Sequence, residues 1–154
     1  MIALLITLFL PLAGAILLLF FNRNNPATIK NTALITSILA FIASLFILFE
    51  FDSNNPNFQL LYQTIWIQEF DAGFRIGVDG MSMLLVLLTT FITPITIFAS
   101  PGAITKREKE YYIMMLFLQF AMTGVFVSLD LFLFYIFWEL ILIPMYFIDR
   151  KSVV

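Results

Sequence analysis

Apolar residues along this chain gather into five blocks, and the charged residues fall almost wholly between them. The blocks are residues 2–21, 32–51, 81–100, 111–129 and 131–148. At about 1.5 Å of rise per residue, helices of this length match a hydrocarbon core about 30 Å thick. The pattern predicts an all-α membrane protein of five transmembrane helices, in one domain covering residues 1–154. The sizeable polar interruption is 52–80, between the second and third blocks. There Phe74-Arg75-Ile76-Gly77-Val78-Asp79 alternates with strand period. Asp71-Ala72-Gly73 is turn chemistry, and 62–70, rich in aromatic and β-branched residues, supplies a partner strand. A small extramembrane β-hairpin is expected there, with a structural role in covering neighbouring helices.

The connections differ in charge. Residues 22–31 hold Arg23 and Lys30, 101–110 hold Lys106, Arg107 and Lys109, and the end of the chain holds Arg150 and Lys151. The alternate connections hold one base, Arg75, against Asp52, Glu69, Asp71, Asp79 and Asp130. Seven of the 8 basic residues thus lie on one side. The positive-inside rule places that side inward and the N-terminus outside. The first block has no Lys or Arg before it and is followed by further spans, so it is read as a retained helix and not a signal peptide.

Composition narrows the chemistry. The chain is 62% hydrophobic and 12% charged, about half the charged share of a soluble domain. Cys and His are absent, so a disulfide, a Cys-ligated iron–sulfur cluster, a His-ligated haem or a typical zinc site cannot be built from this chain alone. Any redox cofactor would sit in a partner. No nucleophile–base pair, phosphate loop or dinucleotide fingerprint appears, and the expected surroundings are lipid, with no nucleic-acid partner.

The candidate chemistry lies in the fifth block, whose one charge, Glu139, is near its midpoint. An acidic residue at that depth costs about 2.5–3.5 kcal/mol on insertion scales. Without a partner, hydrocarbon favours the neutral acid; beside a lysine it ionises. Such a group can take up and release protons, or can bond across helices and fix packing only. Pro144 has no N–H for the carbonyl of Leu140, leaving an acceptor within about one turn of the carboxyl. Trp138 adjoins it. In the third block Ser82, Thr89, Thr93 and Thr96 recur at helical spacing around Pro94, as packing hydroxyls or as a wet face of a polar channel. Ala121, Gly124 and Ser128 form a small-residue face for close helix approach.

Phe137-Trp138-Glu139-Leu140 followed by Leu142-Ile143-Pro144-Met145-Tyr146-Phe147 resembles the fifth-helix signature of the subunit M family of proton-pumping NADH:quinone oxidoreductase, chain 4 of mitochondrial complex I. Ile76-Gly77-Val78-Asp79-Gly80-Met81-Ser82 is similar to the same family's run into its third helix. The resemblance covers nearly the whole chain to about Phe147. It implies a proton-pathway role for Glu139 alone, paired with a lysine on a seventh helix; Pro144, Trp138, Thr89 and Thr93 are supporting candidates on the reading of the residues above. It also implies that FMN, iron–sulfur clusters and the quinone site belong to partner subunits, that subunits L and N are neighbours, and that the membrane is the bacterial inner membrane or the mitochondrial inner membrane. The segment Asp149-Arg150-Lys151-Ser152-Val153-Val154 departs from the family pattern, which suggests a truncated or frameshifted copy of a longer protein, not competent to pump alone. Two other readings stay open: a structural fragment that moves no ions, and a subunit of a cation/proton antiporter complex.

Overall fold

A computed structural model describes residues 1–100 and 106–152, with side chains described to Arg150. The part of the third-to-fourth connection at 101–105, the Lys151 side chain and the final pair 153–154 lie outside the described residues. Five helices are long and apolar enough to cross a membrane. They are α1 (Ile2–Leu19), α2 (Pro26–Glu50), α3 (Gly80–Ala99), α4 (Glu108–Val127) and α5 (Leu131–Ser152), with an antiparallel hairpin of β1 (Gln59–Ile67) and β2 (Ala72–Val78) between α2 and α3. The fold class read from the pattern of apolar blocks is the fold observed.

Helix ends follow polar chemistry more than apolar content. α2 begins six residues before the apolar block, at Pro26, a residue suited to the first helical position because its missing N–H has no helical partner there anyway. Lys30 can then sit inside the helix because its stem runs to a polar end, its Nζ lying 5.6 Å from the Phe98 ring centroid. α4 likewise starts early, at Glu108, where Glu108 and Glu110 oppose the positive end of the helix dipole. α5 runs on past the apolar block as far as Ser152. Lys109 donates to the carbonyls of Leu19 and Phe21 at 2.8 and 2.7 Å, closing the C-terminal end of α1.

α4 is the central helix, packed on α1, α2, α3 and α5, whereas α5 leans on α4 and β2. Gly14 lets α1 approach α2, since a Cβ there would run into the Thr36 methyl. The hairpin caps the end of the bundle where α3 starts and α4 turns into α5. Its turn differs from the Asp71-Ala72-Gly73 expectation. Residues Gln68–Phe70 form a 3-10 turn, Asp71 takes the left-handed conformation at φ 49°, and Ala72 already pairs with Ile67. An Asp tolerates that backbone better than the Ala or Phe beside it. β1 extends back to Gln59, with irregular register near each end.

Two aspartates anchor this cap. Asp79 is the N-cap of α3: its carboxylate accepts from the Ser82 amide at 2.7 Å, while Ser82 Oγ accepts from the Asp79 amide at 2.8 Å. Ser82 is therefore a capping residue, not part of a channel face. Asp130 accepts from the Gly73 amide at 3.2 Å and from the Phe132 amide at 2.8 Å, and Arg75 bridges it to Asp71. The Leu129 amide donates to the Arg75 carbonyl at 2.9 Å. The Ser82 amide lowers the Asp79 carboxyl, and the Gly73 amide lowers that of Asp130. A carboxylate lowered in the folded state adds stability above its ordinary range and loses it as pH falls through the lowered native value. Amide protection at Gly73 and Leu129 should hold at neutral pH, fall below about pH 4, and fall already at neutral pH in Asp130→Asn. Hydrogen exchange read by NMR or mass spectrometry checks this; unchanged protection in the variant contradicts it.

Candidate functional site

α5 presents two unlike faces. Leu133, Phe137 and Pro144 are buried, and Leu140 is partly buried, a stripe at helical spacing that meets α4. Gly124 on α4 makes this contact close, because a Cβ there would collide with the Phe137 ring. Phe120 adds an edge-on ring contact to Phe137 at 5.4 Å. The expected small-residue face of α4 thus receives α5, while Ser128 donates back to the Gly124 carbonyl and ends the helix.

Glu139 points the other way. It is two positions past Phe137, about 200° around the helix, and is exposed on the protein's surface together with Tyr135, Trp138, Leu142, Ile143 and Tyr146. That face would lie in hydrocarbon at about mid-depth if it were left bare. Tyr135, one turn earlier, lies on the same face beside the carboxyl. Trp138 stacks at a tilt on Phe134, 5.9 Å between centroids. Among the described residues no cation forms an ion pair with Glu139.

The structure separates the other sequence candidates from this carboxyl. Pro144 belongs to the stripe facing α4, so its ring lies on the side of the helix away from the acid. Thr89 and Thr93 are buried in α3, an element on which α5 does not lean. Their hydroxyls donate back to Leu85 and Thr89 carbonyls at 2.8 and 2.9 Å. Thr96 does the same to Ile92. Sequence reasoning missed Tyr135, whose spacing of four residues from Glu139 was a readable signal. It also missed Thr90, which meets Ser44 of α2 at 2.8 Å, and Gln119, a buried amide within an otherwise apolar block of α4. Among the described residues no group of acidic side chains could hold a metal ion.

Chemically, this arrangement is a single carboxyl with a phenol neighbour on a face open to further protein. It can exchange a proton with whatever covers it.

A sequence profile described as "NADH-ubiquinone oxidoreductase chain 4, amino terminus" matches residues 5–125. The chain is 39% identical over 148 residues to "NADH-quinone oxidoreductase subunit M" of Rickettsia conorii, covering 93% of this chain and 30% of that one. It is 45% identical over 144 residues to the subunit M of Rhodobacter capsulatus, covering 91% and 28%. It is 38% identical over 138 residues to "NADH-ubiquinone oxidoreductase chain 4" of Arabidopsis thaliana, covering 90% and 28%. The chain therefore spans about three tenths of the length of the curated relatives it matches.

The Gly124–Phe137 contact positions the whole of α5, Glu139 included. Gly124→Val places a branched side chain where the ring sits, and overpacking of this kind costs about 1–3 kcal/mol. The expected outcome is a lower unfolding midpoint in detergent and a displaced α5, read as a lengthened spin-label distance between α4 and α5. An unchanged midpoint and distance contradict the close packing.

Proposed function

Because the chain belongs to the family of NADH-ubiquinone oxidoreductase chain 4, amino terminus, we propose that it is the amino-terminal part of a proton-translocating membrane-arm subunit, in which Glu139 is a carboxylate of the proton path. The observation that carries this reading is the position of Glu139. An acid near the middle of a membrane helix is expensive, and this one is turned away from the four helices that could have enclosed it. Its place makes sense if further helices of the same subunit cover the uncovered face of α5 and bring a cation to it. Family resemblance assigns that cation to a lysine on a later helix.

The proton step asks little of this chain. With the lysine charged nearby, the carboxyl is ionised; when that charge moves away, hydrocarbon favours the neutral acid and a proton is taken up. Tyr135 can donate to the carboxylate in the first state and release it in the second. Electron transfer from NADH to quinone belongs to other subunits, where FMN, iron–sulfur clusters and the quinone site reside. Subunits L and N are the proposed neighbours within the membrane arm. The chain is a membrane protein, and its relatives are found in bacteria and in a plant; we assign it to the bacterial inner membrane, with the mitochondrial inner membrane as the alternative.

Glu139→Ala in the full-length subunit, assembled in its complex, should collapse proton pumping coupled to NADH oxidation, while Glu139→Asp should keep part of it. The check is the ratio of protons moved to NADH oxidised in sealed vesicles. A normal ratio in Glu139→Ala would rule out the role given to this residue.

A further inference from the structure

The buried core is divided into two apolar clusters. One gathers Leu4 and Leu8 of α1, Val86 of α3 and Phe120 of α4 beneath the hairpin. The other gathers Leu18 of α1, Ile29 of α2, Ile97 of α3 and Leu116 of α4 toward the opposite end. Between them the buried positions on α1–α4 become small or polar. α1 offers Pro11 and Gly14, α2 Ser37 and Ser44, α3 Thr90 and Thr93, and α4 Gln119 and Thr123.

Most of these hydroxyls are satisfied locally. Ser37 donates to Leu34, Thr93 to Thr89, and Ser44 meets Thr90. Gln119 and Thr123 are the exception. Gln119 is 1% exposed and Thr123 0%, yet the Gln119 Nε2 and Oε1 and the Thr123 Oγ1 have no hydrogen-bond partner among the described residues. The two residues are four apart, so they lie on one face of α4, one above the other. Two prolines add to the same zone. Pro11 and Pro94 have no N–H for the carbonyls of Thr7 and Thr90, and both threonines are fully buried. Donors, acceptors and a hydroxyl without side-chain partners are therefore all buried within the α1–α4 body. A ligand that gives and accepts hydrogen bonds, needs two to four partners and fits a close-packed interior is water.

We propose that Gln119 and Thr123 seat one or more internal water molecules in the polar layer between the two apolar clusters. The site is within the α1–α4 body, with Thr123 about 100° around α4 from the Gly124 contact with Phe137, and it does not depend on the role assigned to Glu139. Water here joins α4 to its neighbours through hydrogen bonds that side chains alone do not complete.

The test is a high-resolution electron cryomicroscopy map of the complex containing the full-length subunit. The expected result is ordered solvent density within about 3.2 Å of both the Gln119 amide and Thr123 Oγ1. Direct bonding of the Gln119 amide to a backbone carbonyl or hydroxyl, with no solvent density beside it, overturns the proposal. Gln119→Met, similar in volume, should lose that density while α1–α4 keep their positions; retention of the density would show that Gln119 does not seat the water. Should that variant fail to assemble, water-edited solid-state NMR on the parent replaces it. Magnetisation should pass from water to the Gln119 side-chain amide at mixing times that leave the Leu116 methyls dark, and equal silence at both residues would refute the site.

Discussion

Inside a hydrocarbon layer a polar group that finds no partner is costly, and nearly every specific feature of this fold is a response to that constraint. The backbone answers by forming helices. The threonines and serines of α2 and α3 answer by donating to carbonyls about one turn back, at 2.6–3.0 Å, and Ser44 and Thr90 also meet each other across the two helices. The hairpin answers by placing its ionic groups at the end of the bundle, where Asp130 receives backbone amides and Arg75 closes the cluster. Glu139 is the group beside which the described residues place a phenol but no cation.

That exception connects packing with function. α1 to α4 enclose each other and share two apolar clusters, and α5 joins chiefly through the stripe that Gly124 admits, with a further contact to β2 at its start. A helix held mainly by one stripe keeps much of its surface for other partners. In the proposed function, the exposed aromatic and aliphatic side chains around Glu139 are the surface that further helices would cover. This is consistent with a chain that matches about three tenths of its relatives' length. The hairpin has a supporting part: by holding the α4–α5 turn through Leu129 and Asp130, it fixes where α5 starts and so the depth at which Glu139 lies.

The fold was legible in the sequence because its causes are local and additive. Five apolar blocks, unequal loop charges and one alternating segment suffice to give helices, hairpin and fold class. Helix ends were less legible, since Pro26 and Glu108 extend helices by polar chemistry that hydrophobicity does not register. The turn at Gln68–Asp71 was misplaced because Asp71-Ala72-Gly73 has turn-like composition, whereas pairing across the strands selects which residues turn. In the site, Glu139 stood out by charge alone. The structure places Pro144, Thr89 and Thr93 apart from it, which the sequence could not show because spacing within a helix does not say which side a neighbouring helix will cover. Gln119 was overlooked for the opposite reason: an uncharged amide hardly lowers the hydropathy of its block, and only its burial without a partner reveals it.

The central claim is that Glu139 changes protonation as the assembled complex turns over. Infrared difference spectroscopy of the complex containing the full-length subunit tests it most directly, comparing the resting state with the state reached during NADH oxidation. The account predicts a signal in the C=O stretching region of a protonated carboxyl that is lost in Glu139→Gln. A spectrum in that region identical in the parent and the variant would contradict it.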